Sequence, residues 1–167
     1  PRFSISSITE NMITLAQIRK NPQIEEFIKR SKISLEIEGY TDHGLGHLDL
    51  VADRARNIAR EIGLSQREQE LSAIAGFCHD IGNFLSRRNH HYFGALIFHQ
   101  IFNQDFSAPD IALIMQAISN HDKEEMHFSN PVSAVLVLAD KSDVRRSRGL
   151  VKKIDKEAGK ITIKHGP

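Results

Sequence analysis

Apolar residues recur at three- and four-residue spacing along most of this chain, between clear helix starts and stops. That pattern leaves room for little except a bundle of helices. Thr14-x-x-Gln17 reads as a capping box opening a short helix to about Lys20. Asn21-Pro22 reads as an N-cap followed by proline at the first helical position, with Ile24, Phe27, Ile28 and Leu35 in helical register and Gly39 as the stop. His47, Val51, Ala55, Ile58 and Ile62 share one face of a helix from about Gly44, which Gly63 ends. Ser65-x-x-Glu68 opens the next, with Leu71, Ile74, Ala75 and Cys78 inward. His90 opens another, with Gly94, Ile97 and Ile101 on its stripe and His99 off it. Ser107 caps a helix burying Ile111, Ile114, Met115 and Ile118. Asn130-Pro131 starts the last clear one, whose run from Val135 to Ala139 reads as largely buried.

From Gly149 the pattern fails. Lys152, Lys153, Asp155, Lys156 and Glu157 form a solvated run, and Ile161-Thr162-Ile163 has the make-up of a short strand or the start of a further segment. We therefore expect a single all-α domain over residues 1–148, with its core motifs in 41–148, and a charged tail over 149–167, with a short strand or a truncated segment as its two options. A chain of 167 residues suits one domain with a real core. A net charge of +1 gives no field that favours nucleic acid or a membrane surface. No apolar run approaches the roughly 20 residues of a membrane span. One cysteine, Cys78, precludes an internal disulfide and fits a cytoplasmic setting.

The unusual total is nine histidines. Several stand where an apolar stripe begins or ends. His47 opens its stripe, His79-Asp80 follows Cys78, His121-Asp122 follows Ile118, and Asp140 follows the run to Ala139. Gly82 reads as the helix stop that lets one cation use both His79 and Asp80. Either His90 or His91 could complete the set, and His90 shares the Gly94 face. Asp140 is costly after such a run unless it binds a cation or pairs with Lys141, Arg145 or Arg146. Imidazole and carboxylate together suit one or two divalent ions such as Fe, Mn, Mg or Zn. Without a cysteine cluster a structural zinc finger is excluded.

The order His47 … His79-Asp80 … Asp140 resembles the H…HD…D pattern of the HD-domain metal-dependent phosphohydrolase superfamily. Asp42-His43-Gly44-Leu45-Gly46-His47 is similar to the approach to its first histidine, and His79-Asp80-Ile81-Gly82 to its HDIG box. His90-x-x-x-Gly94-Ala95 and Ile118-Ser119-Asn120-His121 resemble the extra histidines of its dinuclear members, and Leu138-Ala139-Asp140-Lys141-Ser142-Asp143 its closing helix. The likeness runs from about Thr41 to Arg148.

The resemblance implies an HD-domain helical bundle in which His47, His79, Asp80 and Asp140 hold one metal. Asp80 would bridge to a second held by His90 and His121. It implies a phosphohydrolase, with Asp80 and His79 at the catalytic centre and a metal-bridging water attacking the phosphate ester of a small metabolite, with a nucleotide the expected class. His43, Asp122 and Asp143 would support the ligands. Two positions depart from the pattern: Asn83 stands where some dinuclear members have a lysine, and His121-Asp122 where the cyclic-dinucleotide branch has two histidines. Arg87, Arg88, Lys141, Arg145 and Arg148 are the basic residues near the motifs, candidates for phosphate contact or simply a solvated face. The alternative function is a non-catalytic metal-bearing module that binds a nucleotide or a partner, and a homodimer is one option.

Overall fold

The computed structural model describes residues 13–39 and 44–143. Seven α-helices follow one another: α1 (Leu15–Ile18), α2 (Pro22–Glu38), α3 (Leu45–Glu61), α4 (Gln66–Cys78), α5 (His90–Phe102), α6 (Ala108–Asn120) and α7 (Pro131–Lys141). A single 3-10 turn, Ile81–Phe84, lies between α4 and α5, and there is no strand among the described residues. The expectation of an all-α HD-type bundle holds. The possible strand at Ile161–Ile163, the tail, His43, Arg145, Arg146 and Arg148 lie outside the described residues.

The helix starts use the capping chemistry the sequence carries. Asn21 Oδ1 accepts from Gln23 N at 2.9 Å and Ile24 N at 3.3 Å. Glu68 accepts from the Ser65 backbone N–H at 2.9 Å, and Asn130 Oδ1 accepts from Ser133 N at 2.9 Å. Each such bond satisfies an orphan donor of a first turn, worth about 1 kcal/mol. Gly39 and Gly63 take the left-handed conformation, at φ 79° and 80°, where a side chain is strained.

Helix α4 is the centre of the bundle. Its residues from Leu71 to Cys78 are buried without a break, because α1, α3, α6 and α7 all pack on it. A helix enclosed on every side loses its amphipathic stripe, so its sequence shows a solid apolar run in place of periodicity. The approach of α3 is especially close at Gly76: a Cβ there would stand 3.0 Å from Ala52 Cα and 3.0 Å from the Val51 carbonyl oxygen. Phe77, Phe98 and Phe102 are the largest buried side chains of the core, and burying each ring contributes about 1.5–3 kcal/mol.

Helix α2, which reads from sequence as plain scaffold, grips the 3-10 turn. Ser31 Oγ donates to the Ile81 carbonyl at 3.4 Å and accepts from Phe84 N at 3.1 Å. Phe27 stacks on Phe84 with ring centroids 4.7 Å apart. These contacts help set where the turn lies.

Four stripes differ from their sequence reading. Ile62 is 58% exposed and Leu138 59%, since both fall on the outer side of helices covered on one face only. Met115 is only partly buried, and Ala117 fills the inner place. On α5 the inward residues are Gly94, Ala95, Phe98 and Phe102, so the stripe is turned one position from Ile97 and Ile101. Aromatic bulk at Phe98 and Phe102 decides that rotation.

No helix among the described residues is long and apolar enough to cross a membrane. The tight α3–α4 crossing gives a test of the packing. Gly76→Val should lower stability by about 2 kcal/mol or more, because backbone on both sides must part. Thermal melting checks it; an unchanged midpoint would show that the crossing has slack.

Candidate metal centre

Three helices end on the site and two begin there. His79 is the C-cap of α4 and His121 the C-cap of α6. His90 is the first residue of α5, and His47 lies in the first turn of α3. Asp80 follows His79, and Asp140 is in the last turn of α7. All six are buried. The negative ends of α4, α6 and α7 and the positive ends of α3 and α5 meet at this centre.

Each imidazole is oriented through Nδ1. His79 Nδ1 lies 2.8 Å from the Gly76 carbonyl, His90 Nδ1 2.8 Å from that of Arg87, and His121 Nδ1 2.7 Å from that of Ile118. In all three the partner is the residue three before. His47 Nδ1 instead meets Asp143 Oδ2 at 2.8 Å, and the Asp143 side chain is fully enclosed. Carbonyl and carboxylate oxygens only accept, so Nδ1 carries the hydrogen in each ring. The Nε2 lone pairs are therefore left for the centre, which is how proteins prepare histidines for metal.

The Nε2 atoms and carboxylate oxygens fall into two groups. In the first, His47 Nε2 and His79 Nε2 are 3.4 Å apart. Asp80 Oδ2 lies 3.8 Å from His47 Nε2 and 3.2 Å from His79 Nε2. Asp140 Oδ1 lies 3.3 Å and 3.7 Å from the same two nitrogens. In the second, His90 Nε2 and His121 Nε2 are 3.0 Å apart, with Asp80 Oδ1 at 3.1 Å and 3.7 Å. Atoms bound about 2.1 Å from one cation stand about 3.0–3.4 Å from each other by simple geometry, so both groups are close to the size of a metal shell. Asp80 belongs to both, one oxygen to each. Lone pairs of His90 and His121 facing each other at 3.0 Å repel unless a proton or cation lies between them. The donor set fits divalent cations.

The other sequence candidates sort by position. His91 is buried, but neither cation group contains it, and Nδ1 has no hydrogen-bond partner; His90 is the residue brought to Asp80. Arg87 Nη1 lies 3.1 Å from His90 Nε2 and 3.3 Å from Asp122 Oδ2. Lys141 Nζ lies 3.0 Å from Asp122 Oδ1 and 3.5 Å from Asp140 Oδ2, so the Asp140–Lys141 pairing open from sequence is present beside the histidine contacts. Arg88 is exposed, and no ion pair ties it to the cluster among the described residues. Asn83 is buried and turned inward, donating through Nδ2 to the Asp80 carbonyl at 3.0 Å.

Gly82 does not do what its sequence position suggests. It lies inside the 3-10 turn and has no positive φ. Its role is close approach: a Cβ would overlap the His90 carbonyl oxygen and stand 2.6 Å from Gly94 N. Gly94 in turn lies under the His79 carbonyl, 3.3 Å from where its own Cβ would be. This glycine pair lets the start of α5 press against the 3-10 turn, and so brings His90 to Asp80. Two glycines twelve residues apart, each beside a motif histidine, were the available signal.

A family model described as the HD domain matches residues 44–160, well over half of the chain. The chain belongs to the HD-domain family. HD domains bind divalent metals, and the family is generally one of hydrolases. A relative, the uncharacterised protein MJ1020 of Methanocaldococcus jannaschii, is 22% identical over 81% of this chain. The chain spans 61% of that protein's length. No solved structure matches.

Within this HD domain the ionisation states complete the picture. Burial disfavours the charged form of His79, but Asp80 and Asp140 more than offset it and raise its pKa to about 9. Burial, with His79 and His90 nearby, holds His121 below its ordinary value. Burial works against the Asp140 carboxylate, yet His47 and His79 hold its pKa well down. In the metal-free chain a proton on His79 thus does part of a cation's work. That stabilisation is full below about pH 6.5 and is lost as pH rises through about 9.

A metal taking His79 Nε2 must expel that proton. Titration calorimetry with manganese at pH 7.5, in buffers of different ionisation enthalpy, should therefore show about one proton released per chain from this group. Release of none would mean that the metal avoids His79. Gly82→Ala should separate the two groups: elemental analysis should show loss of the metal held with His90 and His121. Full retention would contradict the role given to the glycine contact.

Proposed function

We propose that this HD domain is a metal-dependent phosphohydrolase acting on a phosphate ester of a small metabolite, with nucleotides the first class to test. The observation that carries the reading is Asp80. One buried carboxylate faces two cation-sized groups, one oxygen to each. Paired cations serve phosphate ester hydrolysis by neutralising charge on the phosphoryl oxygens and supplying an activated water.

The residues of this chain divide the work. His47, His79 and Asp140 with Asp80 Oδ2 form one holding group, and His90 and His121 with Asp80 Oδ1 the other. Backbone carbonyls and Asp143 fix the rings, so little reorganisation is needed when a cation binds. Arg87 and Lys141 supply fixed positive charge beside the two groups, where phosphate oxygens would lie. Cys78 takes no part: burial pushes its thiol pKa up and leaves it protonated. A buried, unpaired thiol agrees with a reducing, cytoplasmic compartment.

The test is hydrolysis of a nucleotide panel with added manganese or iron, by native chain and by Asp80→Asn. Loss of the shared carboxylate should cost about a thousandfold or more in kcat/KM, since charge stabilisation by the cations is worth several kcal/mol. A fully active Asp80→Asn, or a native chain inert on the whole panel with both metals loaded, would end this reading.

A further inference from the structure

Asp122 carries two cations on one carboxylate at the mouth of the site. Its Oδ1 meets Lys141 Nζ at 3.0 Å, and its Oδ2 meets Arg87 Nη1 at 3.3 Å. The two cations come from distant parts of the chain, one before α5 and one from the end of α7. Each stands beside a different cation group: Arg87 Nη1 is 3.1 Å from His90 Nε2, and Lys141 Nζ is 3.5 Å from Asp140 Oδ2. The Asp122 and Lys141 side chains keep 31% and 50% of their surface exposed, unlike the enclosed ligands.

We propose that Asp122 is a positioning residue that holds Arg87 and Lys141 as the two prongs of a clamp for a terminal phosphate. The proposal rests on the hydrolase reading, since the clamped phosphate is that of the substrate. Two fixed cations next to a centre that gathers divalent ions repel it and each other. A carboxylate between them offsets that repulsion and sets their separation.

The chemistry indicates a substrate class. Asn83, beside the shared Asp80, is neutral and engaged with backbone, so positive charge for the phosphate comes from the mouth. A phosphate monoester presents three outward oxygens and a diester two. Two cation groups and two prongs make four positive partners, which three oxygens serve with less sharing than two, so the clamp favours a monoester dianion. Arginine holds two oxygens in a fixed fork, while the half-exposed lysine adapts as a point charge.

The test is calorimetric binding of inorganic phosphate to the manganese-loaded chain, with metal equivalents measured on the same samples. Asp122→Asn keeps an acceptor for one prong and places an N–H against the other. It should weaken phosphate binding about tenfold with metal equivalents unchanged, and raise KM more than it lowers kcat. Arg87→Met should do at least as much, and Asp122→Glu should recover part of the loss. Unchanged phosphate affinity in Asp122→Asn would overturn the clamp while leaving the hydrolase reading standing. Loss of a metal equivalent in that variant would overturn it too, by making Asp122 a ligand. A native chain that binds metal but no phosphate would overturn both.

Discussion

Asp80 is 4% exposed and has imidazole nitrogens within 3.2 Å of each oxygen. An isolated carboxylate there would cost several kcal/mol in lost hydration. It is tolerated because positive charge is gathered round it: a protonated His79 now, and cations when bound. The converse also holds. Four histidine rings cannot crowd lone pairs together without an anion to justify a cation among them. The centre is therefore a single electrostatic unit, and its parts have little meaning one at a time.

That unit sits where several helices meet, which makes the framework's tolerances those of the site. Helix α4 fixes His79, and its crossing with α3 at Gly76 sets how near His47 can come. The 3-10 turn, gripped by Ser31 and Phe27 of α2, sets Asp80. The Gly82–Gly94 contact sets His90 against it. The contacts at Gly76 and Gly82 are against backbone, with no flexible side chain to absorb an error. Stiffness of this kind suits a centre whose ligand atoms must fall within a few tenths of an ångström.

Much of this was legible in the residue order. Caps at Asn21, Ser65, Ser107 and Asn130 mark helix starts by local chemistry, and local chemistry survives folding. His47, His79, Asp80, His90, His121 and Asp140 were legible because polar residues at the ends of apolar stripes need a reason to be there. Where pattern reading failed, the cause was tertiary. Ile62 and Leu138 continue their stripes, but no neighbour reaches far enough to cover them. The α5 face is chosen by Phe98 and Phe102, whose bulk outweighs the isoleucine register. Gly82 matches a helix stop, yet its use is proximity to another segment, which sequence spacing does not encode. Ser31 looked like any polar residue on a helix because its partners lie fifty residues away.

The histidine hydrogen bonds to the carbonyls of Gly76, Arg87 and Ile118 have a consequence for how this centre could be dissected. Their acceptors belong to the main chain, so no side-chain replacement deletes them. Alanine scanning would find the rings and pass over what aims them. Replacing the peptide link after Gly76 or Ile118 with an ester, which weakens the carbonyl as an acceptor, would loosen one ring and leave every side chain in place. For these three rings the aim of the metal-binding nitrogen is thus a property of the backbone, whereas that of His47 rests on the Asp143 carboxylate.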